Sequence, residues 1–163
     1  KMLYSLEKLH AIGRVHNDLK LQNILVGDSN GKGLDRITLI DFGLSSSFYD
    51  VYGKHIPKAQ NSSGKGNLAF SSFSCLNGGR TSRKDDLISL LYIMFYLYSG
   101  EFGFLGLDLE SATDEQIVRA KYKATANSMC KEKLLVFKIF AKTILSLKFD
   151  DSPRYEDLRN NLS

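Results

Sequence analysis

The sequence predicts one mostly α-helical domain that carries a single small β hairpin. Five stretches place apolar residues at helical spacing, whereas only residues 23–26 and 36–40 have the aliphatic, β-branched composition of short strands. The chain has 163 residues, of which 43% are hydrophobic and 25% are charged. This length and this balance are sufficient for one compact unit with its own hydrophobic core.

Recognisable start and stop signals bound the predicted helices. Residues 2–12 end at Gly13, and glycine is a common C-cap. Ser82 can cap a helix that runs to Tyr98 and stops at Gly100. This second helix is apolar nearly all round, so we expect it to be the buried centre of the domain. Its aromatic residues are expected in the core: Tyr92, Phe95, Tyr96 and Tyr98. Further helices are predicted at residues 111–127, at residues 131–147 and from Pro153, which suits a first helical turn.

The remaining segments are predicted to be turns and loops. Residues 28–33 form a cluster of turn-forming residues between the two strands, so a hairpin is the simplest topology. Residues 44–68 are rich in Ser, Gly, Lys and Asn and predict a long loop. Loops of this length inside a compact domain are usually functional or disordered.

Charge and composition exclude several classes of protein. Lys+Arg 22 against Asp+Glu 18 gives a net charge of +4, which is too small and too dispersed for a nucleic-acid binder but compatible with acidic protein partners. The longest apolar run, residues 87–98, is far shorter than the roughly 20 residues of a membrane span. Cys75 and Cys130 match no zinc spacing. We therefore expect a monomer with free thiols and no secretory signal, located in the cytoplasm or the nucleus, that binds protein rather than nucleic acid or membrane.

Two polar motifs carry the chemistry. Residues 16–23 read His-Asn-Asp-Leu-Lys-Leu-Gln-Asn, and an Asp-Phe-Gly sequence at 41–43 begins eighteen positions after this motif ends. A base, a lysine that neutralises phosphate charge and oxygen ligands for Mg²⁺ are the groups that phosphoryl transfer to a hydroxyl requires. Either motif alone is weak evidence, but together and in this order they predict that reaction class. The candidate groups are Asp18 as base, Lys20 as the phosphate-binding cation, and Asn23 and Asp41 as Mg²⁺ ligands.

These motifs resemble those of the protein kinase catalytic domain. Three further segments resemble the casein kinase I family: residues 55–57 (His-Ile-Pro), 82–87 (Ser-Arg-Lys-Asp-Asp-Leu) and 146–153 (Ser-Leu-Lys-Phe-Asp-Asp-Ser-Pro). The resemblance covers essentially residues 1–163. It implies the C-terminal lobe of a kinase, with residues 44–74 as an activation-segment-like loop. It also implies ATP-dependent phosphorylation of Ser or Thr in protein substrates, with ATP and Mg²⁺ as cofactors.

The resemblance also assigns supporting residues. His16 belongs to the first motif, Phe42 is expected to pack inward, and Gly43 permits a sharp turn. For Asp86 two interpretations are open. The resemblance implies a buried carboxylate that holds the backbone of the first motif, with Asp85 as an exposed neighbour. The position alone is also typical of a solvated carboxylate in the first turn of a helix, and given the resemblance we favour the buried role.

Three positions depart from the family pattern. Asn17 stands where kinases commonly have Arg, which argues against control through an arginine paired with a phosphorylated loop. Asn67 stands where a Thr that hydrogen-bonds the catalytic Asp and Lys is usual. Ala69 stands where the family has an Arg that helps to bind a phosphate on the substrate, which predicts a weaker preference for pre-phosphorylated or acidic substrates.

Half of the usual kinase machinery is not found in this sequence. A glycine-rich loop, a strand lysine for the ATP phosphates and a helix glutamate paired with that lysine are all expected upstream of the first motif. We therefore expect the N-terminal lobe to be absent, with the chain beginning inside a helix near Met2. Two explanations remain open: a fragment of a kinase that is inactive alone, or a truncated pseudokinase that serves as a protein-interaction module.

Overall fold

Helix α3 (Arg83–Ser99) forms the centre of the molecule. The computed structural model describes residues 1–27, 36–60 and 63–162. Eleven of the 17 residues of α3 are buried, and Leu87, Leu91 and Phe95, which follow one another at intervals of one turn, are completely enclosed. Because neighbouring elements cover the helix on most sides, its sequence is apolar nearly all round. The prediction of a buried central helix is confirmed.

Shorter helices pack around α3. Helix α6 and the 3₁₀ turn before it contact α3, and α1 packs between α3 and α7. No helix within the described ranges is both long and apolar enough to span a bilayer. The bounds of these helices are α1 Met2–Ala11, α2 Phe73–Leu76, α4 Asp114–Lys123, α5 Ala126–Met129, α6 Lys138–Ser146 and α7 Tyr155–Asn160. Short 3₁₀ turns cover Leu21–Asn23, Gly103–Leu105 and Glu132–Phe137.

Two small antiparallel sheets carry the polar motifs. Strand β1 (Arg14–Val15) pairs with β4 (Ser46–Ser47), and β2 (Ile24–Gly27) pairs with β3 (Arg36–Leu39). The predicted hairpin is therefore present as β2 and β3, while its predicted turn at residues 28–33 lies outside the described residues. The first motif connects β1 to β2 and the second follows β3, so strand pairing brings the two motifs together.

Helix α1 ends where the sequence predicts. Leu3, Leu6 and Leu9 lie on its buried face and join it to the core. The chain then turns at Gly13, whose φ of +77° lies in the left-handed region that favours glycine. A Cβ atom at Gly13 would also come within 3.0 Å of the Tyr49 ring. Conformation and close packing therefore both favour glycine at this position.

Two stretches that the sequence predicts as continuous helices are divided. Residues 111–127 contain α4 and then α5, because Thr113 and Thr125 each form a capping box that starts a new helix. Residues 131–147 begin as a 3₁₀ turn and become α-helical only at Lys138. Apolar periodicity is nearly the same in these arrangements, so the sequence pattern did not separate them.

Residues 44–68 are mostly irregular among those that the structure describes, as the predicted long loop requires. Strand β4 lies within that loop, and the single-turn helix α2 follows it, with Ser72 as its N-cap. Neither element was predicted, because two to four residues are too few for a periodic signal. Pro153 precedes α7 rather than occupying its first turn, and Arg154 is the N-cap.

One aromatic residue predicted to lie in the core is exposed. Tyr98 is 56% exposed, so this part of the prediction was wrong, whereas Tyr92 and Phe95 are buried. Tyr98 lies in the last turn of α3, where the ring of Phe137 meets it edge-on at a centroid distance of 5.1 Å. Solvent covers the rest of the ring, because the packing around α3 thins out at its C-terminal end.

The prediction that Asp85 is an exposed neighbour of Asp86 was also wrong. Asp85 is only 5% exposed. Its Oδ2 atom accepts the Ser82 backbone N–H at 2.8 Å and its Oδ1 atom accepts the Ser72 hydroxyl at 2.6 Å. Burial raises the pKa of Asp85, and these hydrogen bonds oppose that shift. Asp85 therefore completes the capping box of α3 and joins it to the N-cap of α2.

We expect Asp85→Ala to lower the free energy of unfolding by about 1–3 kcal/mol, because a buried N–H and a buried hydroxyl lose their acceptor. Urea denaturation followed by circular dichroism measures this loss. Asp114→Ala, which removes an exposed first-turn carboxylate from α4, is the matched control and should unfold nearly like the wild type. Equal losses in the two variants would contradict the structural role of Asp85.

Candidate active site

Asp86 anchors the first polar motif to α3. The residue is 1% exposed. Its Oδ2 atom accepts the backbone N–H of His16 at 2.7 Å, and its Oδ1 atom accepts that of Asn17 at 3.0 Å. Of the two interpretations of Asp86, the structure therefore shows the buried one. One carboxylate on the central helix therefore binds two consecutive backbone N–H groups of the loop and fixes the position of the loop relative to the core.

His10 and Tyr155 support Asp86 from behind. The buried His10 side chain donates from Nε2 to Asp86 Oδ2 at 2.9 Å. The Tyr155 hydroxyl bonds the other ring nitrogen of His10, Nδ1, which fixes the orientation of the imidazole. Neither residue was predicted to be part of the site. Asp86 and Tyr155 lie 76 and 145 positions from His10 along the chain, and sequence spacing carries no signal of such contacts.

Asn17 ties the motif to the segment that follows the Asp-Phe-Gly sequence. Its side-chain amide donates to the Leu44 carbonyl at 2.7 Å and to the Ser46 hydroxyl at 2.9 Å, while its carbonyl oxygen accepts the Thr81 hydroxyl at 2.5 Å. Its backbone has a φ of +70°, a conformation that asparagine tolerates better than most residues. Asn17 thus holds the loop through neutral hydrogen bonds where an arginine would place a positive charge.

The Asp18 carboxylate lies at the centre of a group of donors. Lys20 Nζ donates to its Oδ2 atom at 2.7 Å, and Asn67 Nδ2 donates to Oδ1 at 3.0 Å. Asn23 Nδ2 adds a longer bond of 3.3 Å to Oδ2 and a bond of 2.9 Å to the Asp18 carbonyl. Burial raises the pKa of Asp18, but the hydrogen bonds from Asn67 and Lys20 outweigh it and hold this pKa below its usual range. The carboxylate is therefore ionised at neutral pH.

Asn67 replaces the usual threonine and still reaches the site. Its amide orientation is fixed, because its Oδ1 atom accepts the Phe70 backbone N–H at 2.7 Å. The Nδ2 atom is thereby directed to Asp18 and to the Leu19 carbonyl, which lies 3.1 Å away. The departure at position 67 therefore preserves a donor to the carboxylate, although its second bond goes to backbone rather than to the Lys20 side chain.

A backbone hydrogen bond joins Asn23 to the residue that precedes Asp41. The Ile40 backbone N–H donates to the Asn23 carbonyl at 3.0 Å, which brings the start of the second motif beside the first. The hydrogen bond to Asp18 raises the pKa of Lys20, and the negative charge of Asp41 contributes to this shift. Because the side-chain Nδ2 atom of Asn23 donates to Asp18, the Oδ1 atom of the same amide is the one left to bind a cation.

This donor set fits Mg²⁺ better than a transition metal. Among the described residues, His, Cys, Asp and Glu side chains form no group of three or more that could hold a metal ion. One amide oxygen and one carboxylate are hard oxygen ligands, and Mg²⁺ commonly takes one or two protein oxygens together with phosphate oxygens and water. Asp41 has a φ of +60°, a sparsely populated conformation for a non-glycine residue that is often found at functional sites.

His16 and Phe42 connect the two motifs, but Phe42 does not pack as predicted. His16 is completely buried and donates from Nε2 to the Ile40 carbonyl at 3.0 Å. The Phe42 ring lies 5.0 Å from the His16 ring, yet Phe42 is 48% exposed rather than buried in the core. About half of the Phe42 side chain is therefore open to solvent. The Gly43 N–H closes the turn on Asp41 Oδ1 at 3.3 Å.

Two matches with known proteins bear on the family of this chain. A sequence profile of the protein kinase domain matches residues 1–157. A protein of Encephalitozoon cuniculi (strain GB-M1) named "Probable casein kinase I homolog" is 31% identical over 169 residues, which cover 99% of this chain and 51% of that relative. The chain therefore spans about half the length of the curated relative that it matches.

We expect Asp86→Ala to lower the free energy of unfolding by about 3–5 kcal/mol, because the mutation leaves two buried N–H groups and the His10 imidazole without their acceptor. Thermal and urea unfolding measure the loss. Asp50 provides the control, because it also accepts two backbone N–H groups, those of Tyr52 and Lys54 at 2.9 Å, but on the surface. Water can replace the Asp50 carboxylate, so a loss in Asp50→Ala as large as that in Asp86→Ala would contradict this explanation.

We expect Asn67→Ala to raise the pKa of Asp18, because a hydrogen bond that favours the ionised form is removed. Titration of the ¹³C carboxyl resonance of Asp18 measures the change. Asp18 contributes stability above its usual pKa of 3.8, and this contribution is lost as the pH falls through its lower folded value. The variant should therefore lose this stability at a higher pH. Asn67→Thr retains a donor and should shift the pKa less, and an unchanged pKa in Asn67→Ala would refute the assignment.

Proposed function

The chain belongs to the protein kinase family, and from this premise we propose that it is the C-terminal lobe of a casein kinase I-type Ser/Thr protein kinase. In this proposal residues 1–163 form the lobe and residues 44–74 form its activation segment. The observation that carries the proposal is the ionised Asp18 carboxylate, held between Lys20 and Asn67 beside two oxygen ligands. The name of the Encephalitozoon relative supports the casein kinase I type.

Asp18 acts on the hydroxyl of the protein substrate. Each carboxylate oxygen has two acceptor sites, so Asp18 can take one more hydrogen bond, at Oδ1, beyond those from Lys20, Asn23 and Asn67. A serine or threonine hydroxyl that donates this bond turns its oxygen towards the γ-phosphate. The lowered pKa keeps Asp18 ionised, so that it would accept the hydroxyl proton while the new O–P bond forms, the bond to the β,γ-bridging oxygen of ATP breaks and ADP leaves.

Lys20 neutralises the charge on the transferred phosphoryl group. Its Nζ atom has three N–H donors, of which Asp18 takes one. The side chain is 30% exposed, so the other donors can meet phosphate oxygens. The contact with Asp18 also fixes the position of the ammonium before a phosphate arrives, so little reorganisation accompanies the reaction.

Asn23 and Asp41 are the residues that would hold Mg²⁺. Bound Mg²⁺ neutralises the phosphate oxygens of ATP. The protein contributes the amide oxygen of Asn23, whose orientation is set by its bonds to Asp18, and the exposed carboxylate of Asp41. We propose protein substrates for this site, with a weak preference for phosphorylated ones, because Ala69 supplies no cation.

The deciding experiment is phosphate transfer from labelled ATP to casein by the full-length protein. Asp18→Asn should lower the rate at least about 100-fold, the usual range for loss of a general base. Asp108→Asn changes an exposed carboxylate of a surface turn and should leave the rate unchanged. Normal transfer by Asp18→Asn would disprove the role of Asp18. Partner binding by a wild-type protein that transfers no phosphate would instead support the truncated pseudokinase that acts as an interaction module.

A further inference from the structure

Lys121, near the end of α4, is a buried lysine. It is 4% exposed, and lysine is almost never buried unless its charge or its donors are matched. Its Nζ atom donates to the Ala69 carbonyl at 3.0 Å and to the Ser71 carbonyl at 2.6 Å. The ring of Tyr92 lies 4.8 Å from the same atom and presents its face to it. The sequence placed Lys121 on a polar, amphipathic helix and gave no sign of this burial.

The contacts explain why a lysine is tolerated there. Unpaired buried carbonyls are costly, and one amine group satisfies two of them, at Ala69 and Ser71. Burial lowers the pKa of Lys121 to about 7. Whether protonated or neutral, the amine keeps at least two N–H groups, so both carbonyls can remain bonded on either side of neutral pH.

The two carbonyls belong to the turn that orients Asn67. The Ser71 N–H donates to the Asn67 carbonyl at 3.0 Å, and the Asn67 N–H donates to the Ser71 hydroxyl at 2.9 Å. The Phe70 N–H fixes the Asn67 amide, whose nitrogen donates to Asp18. A continuous set of hydrogen bonds therefore leads from α4 through this turn to the Asp18 carboxylate.

We propose that Lys121 is a positioning residue that acts on Asp18 through Asn67. Lys121 fixes the turn of residues 67–71, and the fixed turn keeps the Asn67 amide on the carboxylate. Both hydrogen bonds of the Lys121 amine go to backbone carbonyls, those of Ala69 and Ser71, and neither goes to Asp18 or to the proposed Mg²⁺ ligands. The catalytic part of this proposal rests on the proposed kinase function, whereas the structural part does not.

A double-mutant cycle on the full-length protein tests the catalytic part. Lys121→Met and Asn67→Ala should each lower kcat about 10-fold, with KM for ATP changed less than about twofold, since neither residue lies in the proposed nucleotide contacts. If Lys121 acts through Asn67, the double variant should be no slower than Asn67→Ala alone. Lys123→Met, an exposed change two residues along the same helix, should keep the wild-type kcat. Multiplied losses in the double variant would overturn the proposal.

Hydrogen exchange tests the structural part without any phosphate transfer. In Lys121→Met the backbone amides of Phe70 and Ser71 and the side-chain NH₂ of Asn67 should exchange at least about 10-fold faster, while amides in α3 remain protected. Lys121→Gln shortens the side chain and replaces the amine by an amide that can still donate, so it should speed exchange in the turn by a smaller factor. It serves as the test where Lys121→Met does not fold. Unchanged exchange in the turn would overturn the proposal. The two proposals can fail separately. If the wild-type protein transfers no phosphate and the turn still exchanges faster in Lys121→Met, the kinase function is refuted and the structural role of Lys121 is supported.

Discussion

The Asp86 carboxylate is the group on which the rest of the site depends. It emerges from the first turn of the most deeply buried helix and receives two consecutive backbone N–H groups of the loop that carries Asp18. Because α3 is enclosed by the core, this anchor moves only with the core itself. The loop has little regular structure of its own, so its hydrogen bonds to α3 are what hold it in place. Asp18, Lys20 and Asn23 inherit their positions from this arrangement.

Buried ionisable groups in this molecule are matched mainly by dipoles. Asp86 accepts two peptide N–H groups, Asp85 accepts one peptide N–H and one hydroxyl, and Lys121 donates to two carbonyls. Fixed dipoles avoid part of the desolvation cost that a second buried charge would add. Each of these groups also joins segments distant in sequence, so that the charge and its partners hold the loops in a defined arrangement. Asp86 also accepts a hydrogen bond from the His10 ring. Asp18 differs from these groups, because its charged partner Lys20 is partly open to solvent, as a group that meets a ligand must be.

The sequence predicted the parts of this structure that have a local cause. The ends of α1 and α3, the pairing of the hairpin strands and the clustering of the two polar motifs follow from caps, periodicity and spacing. The breaks at Thr125 and Lys138 were missed, because helical and 3₁₀ turns share much of their apolar pattern. Asp85 was predicted to be exposed but is buried. The sequence does not decide between the two, because a capping-box carboxylate can be either solvated or buried. The burial of Lys121 was not predictable, because its partners are backbone carbonyls, which every residue possesses.

The contact between His10 and Tyr155 has a consequence for the order in which the molecule assembles. These residues are 145 positions apart, and the Asp86 contact with His16 closes a further loop of 70 positions. Contacts of such separation form only after much of the chain's conformational entropy has been lost, so they form late. During synthesis the polar motifs emerge well before Tyr155, whose hydroxyl fixes the His10 imidazole behind them. The nascent chain therefore contains both polar motifs before the residues that hold them in place have been synthesised.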